Sequence, residues 1–146
     1  MTPQSQFTVV APLAAGTERT LRSLLAAMNS TAGVADPHNP LVPFGEFPQL
    51  HFARFVILND PTLGDIEAYG VPRPDLPTYL AFVGDCDGPA KDCLADLARR
   101  SEAGLRRIFA HCADFTPRTD LLAWLHAHDL PIAASYVNWV DRKSVV

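Results

Sequence analysis

No run of apolar residues in this chain reaches the ~18 needed to cross a bilayer as a helix. The first residues, Met1 to Gln6, lack both the cationic stretch and the apolar core of a secretory leader. These absences predict a cytoplasmic protein with no membrane partner. An excess of positive charge is missing as well. Twelve Lys and Arg against 16 Asp and Glu leave a formal charge of -4, so there is no basic surface for counterion release and nucleic acid is not an expected partner. Cysteine is scarce: Cys86, Cys93 and Cys112 form an odd, unclustered set that suits free thiols better than a disulfide framework. The sequence has no internal repeat, P-loop, dinucleotide fingerprint or C-x-x-C pair, and no metal is expected.

What the chain does have is enough apolar material for one domain. At 146 residues, with 48% hydrophobic and 19% charged, it should fold as a single unit over 1–146 and bury roughly 70% of its unfolded surface. Strand-forming residues at 7–13, Leu50 to Leu58 and 78–83 predict three strands. Leu21, Leu24, Leu25 and Met28 recur at helical spacing, which predicts a helix from Thr17 to about Asn29. Gly84 to Gly88 reads as a turn, with Asp87 capping a helix whose first position is Pro89. That helix breaks before Gly104. A further short element covers Leu105 to Cys112, and a last helix starts between Thr116 and Thr119. Ile132 to Val140 is expected to be the fourth strand. Eight of the thirteen prolines crowd into two long loops, 33–48 and 61–77, which are expected to act as lids.

The order β α β β α (α) β points to an α+β fold of ferredoxin-like type, βαββαβ, with helices on one face of a four-stranded antiparallel sheet. Alternation makes both sheet faces apolar. Ala53, Phe55 and Ile57 oppose Phe52, Val56 and Leu58, while Leu80 and Phe82 oppose Tyr79, Ala81 and Val83. Helices can cover one face only. The other is expected to pair with a second copy of the chain, giving a homodimer that encloses a cavity for a small molecule.

The segments His51 to Leu58, Phe82 to Gly88, Gly104 to Cys112 and Ala134 to Asn138 resemble those of a little-characterised bacterial family of the dimeric α+β barrel superfamily, distantly similar to dye-decolourising peroxidase-like domains. The likeness covers most of the chain from Leu50 onwards. It implies relatives that include small monooxygenases, haem-degrading enzymes and domains that only bind ligands. Gly84-Asp-Cys-Asp-Gly88 also matches the G-x-x-D-G pattern whose aspartate stands beside haem in those peroxidases, so haem is the cofactor the resemblance allows, with Asp87 beside it.

Arg54 is the most informative single residue, because a charge inside an apolar strand must be paired or reach water. One reading makes it the anchor for an anionic ligand, assisted by Tyr79, Tyr136 and Asn138 from other strands. The other makes it a structural ion pair, with Asp85 the candidate partner, or a side chain reaching out to water. His51 falls on the opposite face, so the two cannot serve one ligand without a bulge. His111, beside Cys112 and near Asp114, has neither metal-site spacing nor an orienting third group. His126 and His128 suit a helix C-terminus. The expected function is a small-molecule-binding or assembly domain. Alternatives are an oxidoreductase of the small monooxygenase or haem-dependent type, and a structural accessory domain of a longer polypeptide.

Overall fold

The computed structural model describes residues 3–59, 62–72 and 74–136. In chain order the elements are β1 (Gln4–Pro12), α1 (Glu18–Ala26), β2 (Asn29–Thr31), β3 (Val34–Ala35), β4 (Leu50–Leu58), α2 (Leu63–Ala68), β5 (Tyr79–Asp87), α3 (Ala90–Arg100), α4 (Glu102–Phe109) and α5 (Leu121–His128). The three long strands form an antiparallel sheet in the order β1-β5-β4, and β2 pairs with β3 as a separate hairpin. This is an α+β architecture. Among the described residues no helix is long and apolar enough to cross a membrane.

Period-two alternation decides which strand residues meet the helices. Phe7, Val9 and Ala11 of β1 and Leu80, Phe82 and Cys86 of β5 are fully buried and share one cluster with Leu21, Leu94, Leu97, Leu105, Ile108, Phe109 and Leu125 from the helices. Phe82 is its centre. Phe55 stacks on it at 4.3 Å and Phe7 meets it edge-on at 5.0 Å, contacts that add to the area removed from water. Cys86, Cys93 and Cys112 are buried free thiols.

Two glycines behave as packing residues where the sequence suggests punctuation. Residues 84–87 continue β5 instead of turning, paired with Phe7, Gln6, Ser5 and Gln4 of β1, and a side chain at Gly84 would strike the Phe7 ring and come within 3.0 Å of the Phe52 carbonyl oxygen. The turn falls at Gly88, with φ +77°. Asp87 is therefore a strand residue and no helix cap: it binds His51, and Pro89 occupies the N-cap position of α3. Gly104 lies inside α4, where a Cβ would collide with the backbone of Leu41. The break expected before Gly104 falls at Ser101, with φ -124° and ψ 32°.

The first proline-rich segment is no lid. Leu41, Val42 and Phe47 are buried in the core, and Asn39, 2% exposed, organises the chain around them. Its Nδ2 donates to the carbonyls of Asp36 and Val42, and its Oδ1 accepts from the N–H groups of Leu41 and Val42. The second segment contains the short helix α2, of which Leu63 is buried while Tyr69, Val71 and Leu76 beyond it are exposed. Asp120 caps α5 by accepting from the Ala123 N–H at 2.9 Å.

After α5 the chain meets the free edge of β1, where Leu130 N–H donates to the Thr8 carbonyl and Thr8 N–H donates to Asp129 Oδ1, both at 2.9 Å. Pairing stops there. Residues 132–136 are exposed and form no strand, and 137–140 lie outside the described residues, so the described sheet has three strands where four were expected.

Candidate functional site

The face of the sheet turned away from the helices is built in rows across the three strands. Pro12, Tyr79 and Leu58 form one row; Val10, Ala81 and Val56 the next; then Thr8, Val83 and Arg54; then Gln6, Asp85 and Phe52. The face is graded, with apolar rows at one end and polar groups towards the other. Phe52 and Leu58 are each 45% exposed and Tyr79 is 37% exposed, a concentration of open apolar surface on one side of the sheet. The expectation of an apolar second face thus holds for two rows and gives way to mixed polarity in the other two.

Arg54 is exposed on this face. Its guanidinium lies 5.7 Å from the Phe52 ring centroid, and among the described residues no carboxylate pairs with it. Asp85 stands diagonally across the ladder, opposite Phe52, and the ion pair considered for these two is not formed. Tyr79 shares the face with Arg54 but pairs with Leu58 while Arg54 pairs with Val83, which separates the two by about 13 Å at ~3.3 Å per residue. Tyr136 is 84% exposed. Asn138 lies outside the described residues. Arg54 and Tyr79 are therefore not gathered into one small pocket within a protomer.

His51 departs from simple alternation. The register shifts between Leu50, opposite Cys86, and Phe52, opposite Asp85, so His51 is the extra residue of a β-bulge. The bulge frees its ring to bond Asp87 across the ladder, Nε2 to Oδ1 at 2.9 Å, and Asp87 has the same parity along β5 as Val83 opposite Arg54. His111 is occupied structurally. Its Nδ1 lies 3.0 Å from the carbonyls of Arg107 and Ile108, and its own carbonyl accepts from Ala14 N–H and Thr17 Oγ1. His128 holds the Trp124 carbonyl at 2.8 Å, one of the last in α5, as a C-terminal histidine can.

Beside the sheet lies what the sequence does not announce. An open cavity of about 340 Å³ lies between α1, the β2–β3 hairpin and the outer edge of β4, lined by Leu25, Met28, Phe44, Phe55 and Ile57 together with Arg22, Asn29 and Arg54. A second, of about 330 Å³, continues past Leu50, His51 and Phe52 and shares Gly33, Ala35, Phe44 and Ala53 with the first. Hairpin strands of three and two residues are too short to show a period. The available signal was Gly33, whose φ of +76° makes the turn between them.

Among the described residues no three His, Cys, Asp or Glu side chains gather as a metal site. Burial, with Cys86 adding to it, pushes the Cys93 thiol up to about 12, and burial alone does the same to Cys112, so neither is an activated nucleophile. The larger cavity has no histidine or cysteine in its walls to hold a haem iron, and His51 in the second is engaged with Asp87 at 2.9 Å; these residues do not compose a haem site. No family model, curated protein or solved structure matches the chain.

Proposed function

We propose that the chain is an assembly domain that pairs with a second copy through the open sheet face, with Arg54 at the seam as the anchor for a small anionic ligand. The observation that carries this reading is the exposure of Phe52, Leu58 and Tyr79 on a face the helices do not cover. The occupant is argued from the face itself. A twofold axis parallel to the strands lays apolar rows on apolar rows, and it turns Arg54 of each copy towards the central strand of the other, where Asp85 has no ion-pair partner among the described residues. The surface complements itself in both polarity and charge.

The finer fold assignment, a ferredoxin-like domain of the dimeric α+β barrel type, belongs to the same proposal. It is supported by the order β1-β5-β4 with every neighbour antiparallel, by helices after the first and third long strands, and by the bonds from Asp129 and Leu130 to Thr8, on the edge where the last strand of that fold runs.

Chemical cross-linking tests the geometry. In a Val83→Cys variant the introduced thiols face each other near the axis, and a bismaleimide reaching ~10 Å, the spacing of packed sheets, should give a covalent dimer. An Arg19→Cys variant, on the exposed side of α1, should not. Equal cross-linking of both variants, or none in either, would reject the proposed face.

A further inference from the structure

We propose that the outer edge of β4 is a docking groove for an extended peptide with alternating apolar and acidic side chains, which adds to the sheet as a further strand. This site borders the sheet face, with which it shares Arg54 and Phe52, but it does not rest on pairing of two copies.

Three observations carry it. First, β4 spends one side of its backbone on β5, and on its other side, among the described residues, only Leu50 N–H is bonded, to the Phe47 carbonyl at 3.0 Å, which leaves the edge from Ala53 to Leu58 open. Ala53 to Leu58 contains no proline or lysine to protect that edge, and its bulge lies at the far end, near His51. An open edge of this kind is a template for another strand.

Second, the two cavities share walls and make one groove along the edge from Leu50 to Ile57, about 23 Å at ~3.3 Å per residue. That is the length of an extended peptide rather than of a compact ligand. Its apolar walls, Leu25, Met28, Phe44, Phe55 and Ile57, can receive every second side chain of an incoming strand, while α1 and the hairpin rise opposite β4. A second copy presenting its own β4 would bring its own α1 and hairpin into the same space, which disfavours edge-to-edge self-pairing.

Third, the lining carries Arg22, Arg54 and His51 and no carboxylate, on a chain with a formal charge of -4. Glu18 already holds Arg22 and Asp87 holds His51, each at 2.9 Å. Arg54 is the cation left to meet an acidic residue of the peptide.

The test uses fluorescein-labelled Val-Asp-Val-Asp-Ile, its counterpart Val-Lys-Val-Lys-Ile, and an acidic peptide N-methylated at alternate residues, with binding read by anisotropy and backbone amide exchange followed along 53–57. The acidic peptide should bind at least tenfold tighter than the lysine form, slow exchange at β4, and lose binding when the methyl groups block its edge-pairing N–H groups. In a Leu58→Lys/Tyr79→Lys background, which breaks sheet-face pairing without touching the groove, binding should persist, and adding Arg54→Glu should reverse the charge preference. Equal binding of the three peptides, absence of binding with unchanged exchange at β4, or loss of binding in the double-lysine background would each overturn the proposal.

Discussion

Asn39 is a single side chain on which a proline-rich segment depends. Its amide satisfies two carbonyls and two N–H groups that core burial has taken from water. Asn39→Ala is expected to cost about 2–4 kcal/mol, since buried polar groups left without partners carry their desolvation penalty. Urea unfolding should show a lower midpoint with an unchanged slope. Gly104 is the second such residue, and there two effects oppose. An alanine inside a helix ordinarily gains about 1 kcal/mol over glycine, but at this position the methyl meets the Leu41 backbone, which cannot swing away as a side chain would. The clash wins, and Gly104→Ala should destabilise by about 2–3 kcal/mol. Neither role was legible beforehand: a lone Gly reads as a break and a lone Asn as a turn, because what each touches is more than 60 residues or several turns of chain away in the first case and hidden within a loop in the second. Arg54 was legible as an anomaly, though only the strand order shows that it stands on an edge, between an apolar face and an apolar groove.

At the scale of elements, α3 is tied to the end of the proline-rich segment by Asp96. Its carboxylate accepts from Gln49 at 2.9 Å and pairs with Arg99 and Arg100, while Arg100 also covers the Phe47 ring at 4.4 Å. The Gln49 hydrogen bond first, then the two arginines, hold this carboxyl below its ordinary value of 3.8. A depressed folded pKa gives stability that is present above 3.8 and is lost as pH falls through the folded value. Asp96→Asn should therefore lower stability at neutral pH and make the protein lose less of its stability on acidification below 3.8, as read by urea midpoints across that range. The thiols act at the other end of the scale. Cys93 and Cys112, raised from 9.0 to about 12 by burial, favour the folded state below pH 9 and withdraw that support as pH rises from 9 towards 12. Midpoints in urea should fall over that window, and by less in a Cys112→Ala variant measured against its own neutral-pH value. The three long strands and the helical stripes were legible because each runs for several periods of 2 or 3.6 residues. The β2–β3 hairpin, the extension of β5 through Asp87 and the fate of Ile132 to Tyr136 were not, because none is set by local pattern: one is too short, one continues in pairing with β1, and one ends where pairing with β1 ceases after Leu130.

For the whole molecule, the helices and the folded-in proline segment account for one side of the sheet and leave Phe52, Leu58 and Tyr79 exposed on the other. The proposed twofold contact would use the apolar end and Arg54 and Asp85, which have no ion-pair partner among the described residues, and a standard interface removes ~800 Å² from each copy. Light scattering at micromolar concentration, on the parent chain and on Leu58→Lys/Tyr79→Lys, tests this most directly. The account predicts twice the 15.9 kDa chain mass for the parent and the single mass for the double variant, with both equally folded by circular dichroism. A parent that scatters as one chain at that concentration would contradict it.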